Sequence, residues 1–229
     1  MSANIVLTGL MGAGKSTVGK ALSKVLRDYT FVDVDDVIVD IEGMSIPEIF
    51  MKKGEAYFRE VEQNIIQELS EEEDLIIALG GGAFENENTR KTLEETSKVI
   101  YLKSSVERLF SRIENDKNRP LLQCADPRGK LEELLAKREP NYLQAEFVIE
   151  TDGKDIAQIV DEIIKLIDVR HIFLKTVHLI HHKDHRLMGT SEHIRNLGII
   201  IHQSLLHIHH KNDHIRRFNG HLCLLAHAL

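Results

Sequence analysis

Gly9-Leu10-Met11-Gly12-Ala13-Gly14-Lys15-Ser16-Thr17 follows an apolar run, Ile5-Val6-Leu7. After it, Val18, Ala21, Leu22, Val25 and Leu26 recur at the three- and four-residue spacings of a helix. The pattern G-x-x-x-x-G-K-[ST] therefore sits in the setting that gives it meaning, a loop between a strand and a helix. Glycines let the backbone curl so that successive N–H groups face one anion. The first turn of the helix adds a partial positive charge. In such a loop Lys15 reaches the β- and γ-phosphates of a nucleoside triphosphate, and the Ser16 hydroxyl ligates Mg²⁺. The bland alternative is a glycine turn with a solvated lysine.

Working outward, composition narrows the options. The chain has 229 residues, of which 42% are hydrophobic, enough for a core. The most apolar late stretch, Leu197 to Ile208, is interrupted by His202, Gln203 and His207, so no transmembrane segment is expected. Met1-Ser2-Ala3-Asn4 carries no basic side chain and leads into the first strand, so no signal peptide is expected. Cys124 and Cys223 form no ligand spacing and fit a reducing, cytoplasmic setting. A net charge of −7 argues against general affinity for nucleic acid.

That average conceals a break. All 13 histidines lie at or after His171. Residues 171–229 hold seven of the 29 Lys and Arg but only three of the 36 acids, so this tail is net +4 and the rest net −11. A boundary near Asp168–His171 follows, with 1–168 as one domain and 169–229 as a His-rich extension. The clusters His181/His182/His185 and His207/His209/His210/His214 could take Zn²⁺ or Ni²⁺ opportunistically, but neither defines a known site. The extension reads as a poorly packed appendage of uncertain origin.

Residues 1–168 alternate strand and helix. Strands are expected at 5–8, 31–33, 75–79, 98–102 and 146–149, and helices at 15–26, 36–42, 87–96, 105–114, 127–143 and 154–167. A further helix starts at Ser45-Ile46-Pro47-Glu48, with a capping serine and a Glu three residues on; it breaks at Gly54 and resumes over 55–70. Residues 115–123, polar with Pro120, read as a mobile loop. The prediction is an α/β fold, an open, mostly parallel five-stranded sheet with helices on both faces. In such folds ligands sit beyond the carboxyl ends of the strands. The phosphate loop, Asp33/Asp35 and Gly80-Gly81-Gly82 all fall there.

These stretches offer chemistry. Asp33 and Asp35, two apart at a strand end, would share a face and point into one cleft, to hold the water shell of Mg²⁺ and to orient an acceptor hydroxyl. The other reading is a helix N-cap cluster. Gly80-Gly81-Gly82 would let a ligand approach the backbone; the alternative is a flexible turn. Arg59 and Arg138, each unremarkable alone, would as a pair clamp a carboxylate. Arg119, before Pro120, could swing over the phosphates from a lid.

Taken together, GLMGAGKST (9–17), DVDDVI (33–38), FR (58–59), LGGGA (79–83), NRPLL (118–122) and KREPNY (137–142) resemble the shikimate kinase family in order and spacing along residues 4–168. The resemblance implies a P-loop fold of the nucleoside-monophosphate-kinase type, strand order 2-3-1-4-5, with a mobile lid. It implies ATP-dependent phosphorylation of the 3-hydroxyl of shikimate, on the route to chorismate and the aromatic amino acids. By position, Gly12, Ala13, Gly14, Lys15, Ser16 and Thr17 would hold the ATP phosphates, with Ser16 and Asp33 serving Mg²⁺. Asp35 would bind the shikimate hydroxyls and is the candidate base. Arg59 and Arg138 would clamp the carboxylate, with Gly80 and Gly81 beside the acceptor and Gly81 giving a backbone donor. Arg119 would contact the phosphates, Arg112 the region of the adenine, and Lys154 the nucleotide base. The chain is expected to act as a monomer, with no nucleic acid or membrane partner. Competing readings are a kinase for another small hydroxy acid, such as gluconate, and a non-catalytic sensor of shikimate or nucleotide.

Overall fold

The structure is a computed structural model, and it describes residues 4–114, 122 and 124–167. The expected loop arginine, Arg119, and the histidine clusters of the tail lie outside the described residues. The chain divides into two units, 1–164 and 165–229.

Five strands form one sheet: β1 (Asn4–Thr8), β2 (Thr30–Asp33), β3 (Leu75–Ala78), β4 (Ser97–Lys103) and β5 (Phe147–Glu150). Their order is β2-β3-β1-β4-β5, and every pairing is parallel, as the resemblance implied. The central strand β1 is buried at all five positions. Ile76, Ile77 and Ala78 of β3 are equally buried, which is why that segment reads as a continuous apolar run and not as an alternation. Each buried Ile, Val or Leu among them contributes about 1.5–3 kcal/mol on leaving water.

The register positions the site. Leu7 and Asp33 both pair with Ala78. The start of the phosphate loop, the end of β2 and the triple glycine therefore lie level on one edge of the sheet.

Helices α1 (Lys15–Val25), α2 (Val34–Glu42), α3 (Ile46–Glu71), α4 (Glu87–Thr96), α5 (Val106–Ile113) and α6 (Pro127–Tyr142) join the strands, and α7 spans 156–167. Gly43 ends α2 in the left-handed conformation that favours glycine. At the start of α3 the Glu48 carboxylate accepts from the backbone N–H of Ser45 at 3.0 Å and from its hydroxyl at 2.7 Å. Gly54 interrupts α3 with φ 86°, ψ 166°, a region almost closed to other residues, so the expected break is a kink within one long element.

Two expectations need correction. α2 begins at Val34 and not at Asp36, so Asp35 is in a helix and not on a strand face. A short 3₁₀ turn, Ala83–Glu85, follows the triple glycine and was not foreseen. Among the described residues no helix is long and apolar enough to cross a membrane.

Candidate active site

The phosphate loop is held by its own backbone. Gly12 and Gly14 have φ of 82° and 91°, which lets the chain reverse between β1 and α1. A side chain at Gly12 would also meet the Leu109 carbonyl at 3.0 Å. Gly14 is the N-cap of α1 and supplies no side-chain cap, so the first N–H groups of that helix are not met by a capping side chain. Lys15 folds back over the loop, donating to the carbonyls of Gly9 at 2.8 Å and Leu10 at 3.2 Å. Ala13 is buried, and its N–H donates to the Leu10 carbonyl. Arg112 reaches across from α5 to donate to the Gly12 carbonyl at 2.8 Å. Burial, with Arg108 nearby, holds the Arg112 guanidinium below its ordinary range.

A cavity of about 370 Å³ opens over this loop. Its lining includes Gly12, Gly14, Lys15, Ser16 and Thr17, together with Asp33, Asp35, Gly81 and Arg112. The sheet edge thus brings together most of the residues expected from the sequence. Lys154 does not line this cavity; its ammonium donates to Glu162.

Asp33 does two jobs. One oxygen accepts from the Ser16 hydroxyl at 2.5 Å. The other accepts from the Asp35 N–H at 3.1 Å and caps α2. The cap is therefore Asp33, whereas Asp35 and Asp36, the acids expected to cap the helix, lie in its first turn, and the shared strand face is not what aims the pair. Both carboxylates nonetheless line the cavity, because the cap turns the chain across its mouth. A hydroxyl beside a carboxylate is the donor set for a small hard cation that keeps most of its waters, so these residues fit Mg²⁺.

The triple glycine marks the second half of the site. None of Gly80, Gly81 and Gly82 has a positive φ. Close approach explains them instead. A Cβ on Gly80 would lie 2.3 Å from Glu62 Oε1 and 3.0 Å from Asp35 Oδ1. A Cβ on Gly82 would lie 2.6–2.7 Å from three guanidinium atoms of Arg59. Gly81 carries its own load: its carbonyl accepts from Arg138 Nη1 at 2.9 Å. Two guanidiniums thus approach consecutive glycines.

Glu62 was not anticipated. It is 1% exposed, one turn after Arg59, and accepts from Arg59 Nη1 at 2.6 Å. Its Oε1 is buried without a hydrogen-bond partner among the described residues. Burial pushes the Glu62 carboxyl up; Arg59 pulls it back, and Asp35 pushes it up again. Burial also works against the Arg59 charge, but Glu62 and Glu55 outweigh it and hold that guanidinium above its ordinary range. The signal was present in the sequence: Glu62 stands on the Phe58–Ile65–Ile66 face of α3, where a charge needs a partner.

The chain is similar to known proteins along the same residues. The family model for shikimate kinase matches residues 11–168. A shikimate kinase of Chromobacterium violaceum is 42% identical over 173 residues, covering 75% of this chain and 94% of that protein. One from Pseudomonas savastanoi is 47% identical over 162 residues, covering 70% and 94%. Among solved structures, shikimate kinase from Acinetobacter baumannii in complex with shikimate superposes with a TM-score of 0.70 at 40% identity, covering 73% of this chain and 93% of that one. With the family match running from the phosphate loop to residue 168, and relatives above 40% identity covered almost end to end, the chain belongs to the shikimate kinase family.

Proposed function

We propose that residues 1–168 form the catalytic domain and 169–229 an extension that takes no part in the chemistry. The domain transfers the terminal phosphoryl group of ATP to the 3-hydroxyl of shikimate, giving shikimate 3-phosphate and ADP for aromatic amino acid synthesis. The observation that carries this reading is the pairing, on one sheet edge, of a phosphate loop with two guanidiniums set against a triple glycine.

Phosphoryl transfer asks the protein for alignment and charge neutralisation more than for covalent chemistry. Gly12, Ala13, Gly14 and Thr17 cradle the phosphates, and Lys15 exchanges its loop carbonyls for the β- and γ-phosphates. Ser16 and Asp33 would hold Mg²⁺, which would supply positive charge against the phosphate oxygens. Arg59 and Arg138 fix the carboxylate of shikimate, with Gly80 and Gly81 against its ring. That clamp aims the 3-hydroxyl at Asp35, which orients it and accepts its proton. Arg119, placed by its motif alone, offsets the charge of the transferring group. Arg112 lies beside the nucleotide; the contact of Lys154 with Glu162 makes a direct role at the base weaker. The enzyme acts as a monomer in the cytoplasm and needs neither membrane nor nucleic acid.

The test is ADP release by the full chain, with shikimate or gluconate as acceptor. The expected result is ATP turnover stimulated by shikimate and not by gluconate. Stimulation by gluconate alone would transfer the assignment to another hydroxy acid. ATP binding without turnover on any acceptor would favour a sensor.

A further inference from the structure

Tyr142 closes α6 and has no exposure to solvent. Its hydroxyl donates to the Gly81 carbonyl at 2.5 Å. Arg138, one helical turn earlier on the same face, donates to the same oxygen at 2.9 Å. A carbonyl oxygen has two lone pairs, and two donors from one helix fill both. The peptide that joins Gly81 to Gly82 is thus held from two directions, at a residue whose missing side chain leaves its backbone free to turn.

The phenol is itself fixed. Its ring packs on Tyr101, centroids 5.1 Å apart and planes tilted by 33°. Tyr101 in turn borders the phosphate loop, where a Cβ on Gly9 would stand 3.5 Å from its ring. A continuous stack therefore runs from Gly9 through Tyr101 and Tyr142 to Gly81. Burial keeps the Tyr142 hydroxyl protonated far above neutrality, so it remains a donor.

We infer that Tyr142 is a positioning residue for the acceptor: by sharing the Gly81 carbonyl with Arg138, it sets both the Gly81 peptide and the Arg138 guanidinium in the pose that receives a carboxylate. This rests on the reading of the Gly81–Arg138 side as the shikimate site. Without the hydroxyl, Arg138 alone must hold the glycine, and the clamp is drawn from its ligand.

Tyr142→Phe in the full chain is the test, because it removes one oxygen and keeps every ring contact. The expected result is a rise of about tenfold in the KM for shikimate and in its Kd by calorimetry, the size of one lost hydrogen bond. The KM for ATP and kcat should stay within about twofold, and the melting temperature should fall by only a few degrees. A purely structural tyrosine would lower the melting temperature and leave the shikimate constants alone, and that outcome would overturn the inference. The unsubstituted chain is assayed beside it; if that too ignores shikimate, the acceptor assignment fails first and the inference falls with it.

Discussion

Asp35→Asn is expected to lower kcat by about 10²–10⁴-fold, the range for loss of a positioned acid–base group. Asparagine keeps the shape and the hydrogen-bonding capacity of the side chain but cannot take a proton. Asp35 sits in the first turn of α2, its N–H held by Asp33, so the backbone that aims it should be unaltered. ATP binding should be retained, because Lys15 is anchored on the carbonyls of Gly9 and Leu10 and Ser16 on Asp33. Circular dichroism and nucleotide titration check the fold and the ATP site, and single-turnover kinetics check the chemical step. A variant with full kcat would remove Asp35 from the chemistry and leave it a structural acid of α2.

Arg59→Met carries the second large effect, on two readouts at once. Arg59 is set against Gly82 and faces Glu62, whose carboxylate is all but sealed from water. Removing one partner of a buried pair costs more than the pair was worth, because the other charge is left without compensation. Stability should drop by about 3 kcal/mol, the lower end of the range for such a loss, since Arg59 is itself partly exposed. Shikimate binding should weaken by about 2–5 kcal/mol, as for truncation of a hydrogen-bonded charge at an interface. ATP affinity should hardly change.

The pH dependence of that variant is informative. Burial raises the Glu62 carboxyl above the 4.5 of a free side chain, so the folded state binds this proton more tightly than the unfolded chain. The stabilisation is fully present below 4.5 and is lost as pH rises through the folded pKa. Deleting Arg59 removes the main influence that lowers it. The folded pKa then climbs further, and the loss of stability extends over a wider window above 4.5. Melting temperature measured from pH 4.5 to 8 in both proteins should show a steeper decline in Arg59→Met. Parallel curves would mean that Glu62 does not depend on Arg59.

How much of this was legible in advance follows from what each residue answers to. The phosphate loop is a local object: the strand, the turn glycines and the helix are adjacent in sequence, and the structure has them within a residue or two of where periodicity puts them. The break at Gly54 is likewise local. Asp35 was misplaced because an N-cap aspartate and a strand-end aspartate look alike in sequence; only the Asp33 cap decides it. The triple glycine suggested donors and freedom, whereas Gly80 and Gly82 are small because Glu62 and Arg59 occupy the space of their side chains. Those neighbours come from α3, far along the chain, so nothing in the sequence around the glycines announces that they meet there. Tyr142 lay inside a recognised motif, yet its bond to Gly81 spans 61 residues and needed the fold to appear.

The reaction product decides which hydroxyl the enzyme phosphorylates. Incubation of the full chain with ATP, Mg²⁺ and shikimate, followed by phosphorus–proton correlation NMR of the low-molecular-weight fraction, identifies the esterified oxygen. One new phosphate ester is expected, coupled to the proton on carbon 3 of shikimate, in amounts equal to the ADP formed. A phosphate on a different hydroxyl, or ADP formed with inorganic phosphate and no ester, would contradict it.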